Sequence, residues 1–252
     1  MLEHFKGDEV FVRKVLDYKF QVEDKQRIVL TKFLNPNYQD IIKSIIGNND
    51  DIQVLTDGGI EGSETKRVIL APKFYEITKE DFEITVIKIT YPSAFEKLNH
   101  RDVLGALMSL GVDRELFGDI VKDKDDFFVA IESNMYNYLI DNLKQIKRSK
   151  IKISKAENIV EVKYEYSRKT FIVSSLRLDK ILSSFYKIPR SKAASFINSG
   201  YVRVNHKDIE EINYLCNNND IISFKKHGRV KFVNTNRKTK SDNFVVEGYF
   251  YK

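Results

Sequence analysis

Apolar residues recur near helical spacing at Phe5, Val10, Val12, Val15 and Leu16, and again through DIIKSIIG, residues 40–47. That spacing lays an apolar stripe along one side of a helix, so residues 1 to about 50 read as helical, with Gly47 as the C-cap. FLNPNYQD (33–40) interrupts them, and Pro36 suits the first position of the next helix because it has no N–H to leave unpaired. The period then shortens. Ile52, Val54 and Leu55, followed by Val68, Ile69 and Leu70, predict two strands joined by the glycine-rich stretch GGIEGSETKR (58–67). Gly58, Gly59 and Gly62 could cradle a phosphate, but their spacing fits neither the P-loop nor the dinucleotide fingerprint, and a turn needing positive φ is the better reading.

A second pattern begins at FEITVIKITY (82–91), rich in β-branched and aromatic residues as strands are. HRDVLGALMSLG (100–111) places Val103, Leu104, Leu107 and Leu110 on one helical stripe and stops at Gly111. GDIVK (118–122) and DFFVAIE (126–132) are short strands around Asp-Lys-Asp. SNMYNYLIDNLKQI (133–146) is another amphipathic helix, and IKISKAENIVEVKYEY (151–166) closes in extended form. The order βαββαβ is that of the ferredoxin-like (RRM-like) plait. Along its third strand Phe127, Val129 and Ile131 alternate with Phe128, Ala130 and Glu132, so the two phenylalanines point to opposite faces. Phe128 could stack on a base, but no RNP1-type Lys/Arg-Gly-Phe pattern surrounds it, which favours packing.

Residues 167–175 read as a connection. Beyond it, Leu178, Ile181, Leu182 and Phe185 form the stripe of one short helix, and Ala193, Ala194 and Ile197 that of a second, with Pro189 at the break and Gly200 past the end. Arg177, Lys180, Arg190 and Lys192 are left over to face water or a ligand. Val202 and Val204 alternate with Tyr201, Arg203 and Asn205; DIISF (220–224) and RVKFV (229–233) supply further strands, with Lys225, Lys226 and Arg229 around their turn. TNRKTKSDNF (235–244) is polar and expected to be mobile, while VVEGYFYK (245–252) could add a strand to a sheet. The expectation is thus α+β in three parts: an N-terminal α+β module (1–78), the plait (79–170) and a small C-terminal domain (175–252).

With 42% hydrophobic and 31% charged residues, the chain has the composition of globular material. No run approaches the apolar length of a membrane span, and acids stand where a signal peptide needs an apolar core, so the expected location is cytoplasmic with no membrane partner. Cys216 is the one cysteine and reads as inert. The four histidines lack partners at ligand spacing, so neither a metal site nor another cofactor is expected. The net charge of +6 is uneven: residues 175–252 hold fifteen Lys and Arg against seven Asp and Glu, whereas residues 1–174 hold 27 against 29. Such asymmetry fits a polyanion at one end, and equally a solvated lysine-rich surface.

RLDKIL (177–182), SKAASFINSGYVRVN (191–205), NDIISF (219–224) and HGRVKF (227–232) together resemble the S4 RNA-binding domain, of the αL type. The family usually has glycine where Asn219 stands, which implies a looser turn here. LNHRDVLGALMSLGVDRELFGDI (98–120), with GGIEGSETKR, is similar to the YlmH-type ribosome-associated S4 proteins of bacteria. The resemblance implies a non-catalytic, monomeric RNA binder with no small-molecule substrate. It would dock on large ribosomal subunits carrying peptidyl-tRNA during rescue of stalled translation, touching ribosomal RNA and tRNA. The RNA-contact candidates are Arg177, Lys180, Arg190, Ser191, Lys192, Tyr201, Arg203, Asn205, Lys207, Lys225, Lys226 and Arg229. Asp179 is expected to be structural, pairing with a neighbouring cation or capping the first helix, since a carboxylate facing phosphate would repel it. His100, Arg101, Arg114 and Phe128 form a possible second RNA contact or an interdomain one. The competing class is an RNA-modifying enzyme, such as a pseudouridine synthase with an appended S4 domain; its catalytic Gly-Arg-Leu-Asp setting is missing, because Arg177-Leu178-Asp179 is the S4 start itself.

Overall fold

The structure, a computed structural model, describes residues 7–47, 49–158, 160–162 and 165–251. Phe5 of the first helical pattern, and Ile159, Lys163 and Tyr164 of the stretch expected to be extended, lie outside them. The chain divides into two compact units, residues 1–162 and 163–252.

In the first unit, helices α1 (Glu9–Glu23) and α2 (Pro36–Ile46) bury Val12 and Val15 with Ile41, Ile42 and Ile45. The start of α2 follows from its sequence: the Asn35 side chain accepts a hydrogen bond from the Tyr38 N–H, Pro36 takes the first helical position, and Gly47 ends the helix at φ +60°. The helices share this core with a three-stranded sheet, order β1-β3-β2, made of β1 (Val29–Leu30), β2 (Ile52–Asp57) and β3 (Arg67–Pro72). Strand β1 has two residues, too few to show a period, and the sequence pattern missed it.

The plait comprises β4 (Ile84–Thr90), α3 (His100–Met108), β5 (Phe117–Asp123), β6 (Asp126–Glu132), α4 (Met135–Asn142) and, after a hairpin of β7 (Gln145–Ile146) and β8 (Ser149–Lys150), β9 (Lys152–Lys155). The sheet order β5-β6-β4-β9, with all neighbours antiparallel, is the ferredoxin-like arrangement. Phe127, Val129 and Ile131 join Leu107 and Leu139 in the core under the helices. The opposite face is covered as well. Phe33, Ile60 and Val160 bury against Val121 and Ala130 there, with Phe128 packed beside them. Glycine makes this approach possible: a Cβ on Gly118 would sit 2.8 Å from the Phe33 ring, and one on Gly59, at φ +72°, 2.5 Å from the Ile84 side chain.

Two further ties hold this unit together. The Asp119 carboxylate accepts from the Glu64 and Thr65 amides at 2.7 and 3.3 Å, joining the glycine-rich loop to β5. Arg67, 5% exposed, donates to the Thr31 carbonyl at 2.8 Å and to the Phe82 carbonyl at 3.0 Å, and pairs with Glu132 at 3.0 Å.

The second unit is a six-stranded antiparallel sheet, order β10-β15-β14-β13-β11-β12, with two helices on one face. Its elements are β10 (Tyr166–Val173), α5 (Leu178–Tyr186), α6 (Arg190–Asn198), β11 (Val202–Val204), β12 (Lys207–Asp208), β13 (Ile221–Phe224), β14 (Gly228–Lys238) and β15 (Phe244–Tyr251). Two expectations fail here. The stretch 167–175, read as a connection, is mostly the edge strand β10, whose exposed side chains hide the alternation that marks a half-buried strand. The tail read as mobile is the end of β14 and a tight turn into β15, closed by a Lys238–Asp242 ion pair of 2.8 Å. Strand β15 pairs along the full length of β10.

The helical stripes fall as the pattern predicts except at Ala194, which is only half-buried and stands outside the core. Leu178, Ile181, Leu182 and Phe185 pack with Ala193 and Ile197 on Val202, Phe224, Val230 and Phe232. Each such large side chain contributes about 1.5–3 kcal/mol when fully buried. Helix α6 ends in a Schellman motif: the Tyr201 amide donates to the Phe196 carbonyl and the Gly200 amide to the Ile197 carbonyl, with Gly200 at φ +67°. The turn at Asn219 is tight rather than loose. Asn219 adopts φ +71°, a conformation asparagine tolerates, and Asp220 closes the turn by accepting from the Asn217 amide at 2.7 Å.

Candidate nucleic-acid interface

Asp179, in the first turn of α5 and 1% exposed, organises one group of cations. Arg177 donates to it through Nε at 3.1 Å and a terminal nitrogen at 3.3 Å, and Arg190, opening α6, donates at 2.7 Å. Burial alone would raise the Asp179 carboxyl, but the hydrogen bonds from Arg190 and Arg177 outweigh it and hold it below the usual carboxylate range. The carboxylate is therefore structural, and of the two expected roles it takes the ion pairing and makes no N-cap. It locks the two helix starts together and neutralises one of the two guanidiniums, whose outer surfaces stay partly exposed. Lys180 lies one position further along α5 and donates to the Ser174 hydroxyl at 2.8 Å. Lys180, Arg190, Ser174, Ser183 and Ser184 line an open cleft of about 270 Å³, with Ile172 and Val173 at its side. Two cations and three hydroxyls suit an anionic oxygen. The serines were not anticipated, since nothing in their spacing distinguishes them from surface residues.

A second group is joined through rings. The Lys192 ammonium lies 5.9 Å from the Phe196 ring centre, Phe196 is 5.7 Å from Tyr201, and Lys225 stands 5.1 Å from Tyr201. The aromatic pair thus sits between two lysines, one on α6 and one on the β13–β14 turn, with Ser191 exposed at the start of α6. That turn, which carries Lys226 as well, is anchored by His227 stacking on Phe224 at 4.1 Å.

Other candidates are not gathered with these. Val202, Val204 and Val230 point into the core under the helices, so Arg203 and Arg229 project from the opposite face of the sheet. Arg203 is held by Asp208 at 2.7 Å, and Arg229 lies 4.7 Å from the Tyr251 ring centre. The Asn205 amide group is committed to the fold: it donates to Asp220 at 2.8 Å and accepts from the Ile221 amide at 2.9 Å. Lys207 is half-buried in the short strand β12.

In the first unit, His100 and Arg101 open α3 behind a capping box formed by Asn99 and Asp102. Desolvation, with Arg114 and Arg101 adding repulsion, pushes the His100 imidazole below its usual range although the residue as a whole is exposed. Arg114 donates to the Phe117 and Gly118 carbonyls, bracing the entry to β5. Phe128 packs on the covered face described above and is only partly accessible.

Three family models match the chain: "YlmH, N-terminal" over residues 7–75, "Putative RNA-binding domain in YlmH" over 78–159, and "S4 domain" over 176–222. A curated relative, the ribosome-associated protein quality control protein P2 of Bacillus subtilis (strain 168), is 32% identical over 249 residues, spanning 97% of this chain and 96% of that protein. The chain belongs to the YlmH family. A solved structure titled "Cell division protein ylmH from Streptococcus pneumoniae" is also similar, at 30% identity and a TM-score of 0.53, covering 61% of this chain and 95% of the other. This YlmH-family chain is therefore a homologue of a ribosome-associated quality control protein and carries an S4 domain behind a domain classed with RNA binders. Strands β10, β14 and β15 lie outside the matched S4 region, residues 176–222, so the sheet extends beyond it on both sides in sequence.

Proposed function

We propose that the chain is a non-catalytic RNA-binding protein of the large ribosomal subunit. It acts on subunits that hold peptidyl-tRNA during rescue of stalled translation, as a single copy gripping ribosomal RNA and tRNA through the α5/α6 side of its S4 domain. The observation that carries this is the pairing of Arg177 and Arg190 on one buried carboxylate, with Lys180 lining a cleft beside Arg190 and with Lys192 and Lys225 flanking the Phe196–Tyr201 pair. Charges fixed by packing and by a shared counter-ion meet phosphates at lower entropic cost than free lysines do, and a ring between them offers a base a stacking surface. Unit 163–252 supports the reading with eighteen Lys and Arg against eight Asp and Glu. The non-catalytic assignment is supported at Arg177-Leu178-Asp179, the one run with the residue types of a pseudouridine-synthase setting. Its aspartate is 1% exposed and bound to two arginines, and so is closed to a substrate.

Arg190 also holds the fold, so the informative variant reverses the lysines alone. Lys192→Glu with Lys225→Glu is expected to release the protein from large subunits in a sucrose gradient while its thermal unfolding stays within a degree or two of the parent. Full cosedimentation of the double variant would sink the proposal.

A further inference from the structure

Unit 1–162 is acidic, with 24 Lys and Arg against 28 Asp and Glu, yet residues 144–155, KQIKRSKIKISK, hold six cations and no acid. Without that run the balance would be 18 against 28. The structure presents the run as a rigid element. Ile146 is 1% exposed and Ser149 5%, and the Ser149 hydroxyl donates to Glu96 at 2.7 Å, which pins the β7–β8 hairpin to the body of the plait. Lys147, at φ +52° in the tip, pairs with Asp102 at 2.8 Å, tying the hairpin to the start of α3 where His100 and Arg101 lie. Lys144, Arg148, Lys150, Lys152 and Lys155 are all exposed. Among the described residues, Arg148, Lys150 and Lys152 have no carboxylate within ion-pair distance.

A plait that reads RNA through its sheet needs the helix-free face open for base stacking. Here Phe33, Ile60 and Val160 cover that face, and Phe128 packs with them. What remains outward is a fixed cationic hairpin on a unit whose other charges repel polyanions. We infer that the β7–β8 hairpin and strand β9 form a second RNA contact, which binds the phosphate backbone of folded RNA by position rather than by base. The inference rests on the RNA-binding reading of the S4 domain, and it makes the chain a two-handed binder in which each unit supplies one basic element. Cations that contact phosphate release counter-ions, so their removal shows as a shallower dependence of affinity on salt.

The test uses the full-length chain and deproteinised RNA from large ribosomal subunits, with affinity measured across a salt series. Neutralising Arg148, Lys150 and Lys152 together (Arg148→Gln, Lys150→Gln, Lys152→Gln) should lower the magnitude of the log–log salt slope by about two to three, roughly one per lost phosphate contact. It should also weaken binding at least tenfold at low salt and leave thermal unfolding in place. Should the triple variant unfold, Arg148→Gln alone, at the hairpin tip, should still remove about one from the slope. An unchanged slope and affinity, with the parent chain binding normally, overturns the hairpin contact and leaves the S4 reading standing. Loss of binding to intact subunits but not to naked RNA would assign the hairpin to an acidic protein and overturn the RNA contact. A parent chain that fails to bind RNA at all would sink both.

Discussion

Asp179 is where the chemistry of single side chains decides most. Its carboxylate is buried between two guanidiniums and its folded pKa is depressed, so its contribution to stability is complete above the unfolded carboxylate value of about 3.9 and is lost as pH falls through the folded value. Asp179→Asn should therefore cost about 1–3 kcal/mol at neutral pH, the low end reflecting how much of both arginines remains in water. The gap in melting temperature between parent and variant should hold from about pH 8 down to about pH 5 and narrow below about pH 4. A constant gap through acid pH would show that the ion pairs are not its source. Cys216 makes the contrary case of a group with no task. Burial, with Asp220 nearby, pushes its thiol up to about 12, so it should resist alkylation near pH 8 in the folded protein and react only after denaturation. Its inertness was legible from the sequence because buried lone cysteines are common; the double pairing of Asp179 was not, since Arg190 lies eleven positions away across a helix break.

Helices and strands with strong periods were legible, and those whose surroundings set their pattern were not. The α5 and α6 stripes, the βαββαβ order, the helix start at Pro36 and the helix ends at Gly47 and Gly200 follow from local residue chemistry alone. Strand β10 escaped because it lies at a sheet edge with polar residues outward, and β7 and β8 because two residues make no period. The covered face of the plait escaped too: nothing in DFFVAIE says that Phe33, nearly a hundred residues earlier, will sit on it. Two substitutions test these elements. Gly118→Ala places a methyl against the Phe33 ring and Ala130, and should cost about 1–3 kcal/mol in a urea titration. At the S4 turn, Asn219→Gly should be within about 0.5 kcal/mol of the parent, whereas Asn219→Ala, forced to hold a positive φ, should lose about 1 kcal/mol. Equal effects of the two would mean that backbone conformation does not govern that turn.

For the molecule as a whole, the uneven charge was visible before any coordinates, but its arrangement was not. The candidates divide between two sides of the S4 sheet: Arg177, Lys180, Arg190, Lys192 and Lys225 on the side of the helices, Arg203 and Arg229 on the other. If about four to six phosphates are neutralised, the log–log slope of affinity on salt should lie near −3 to −5. Lys192→Glu with Lys225→Glu should reduce its magnitude by about two. The central claim, that the helix side of the S4 domain holds RNA, is tested most directly by ultraviolet crosslinking of the full chain to large ribosomal subunits, with the attached nucleotides mapped to peptides by mass spectrometry. The account predicts crosslinks concentrated in peptides containing Lys180, Lys192, Tyr201 and Lys225. Crosslinks absent from these peptides but abundant on the opposite strand face, at Arg203 and Arg229, would contradict it.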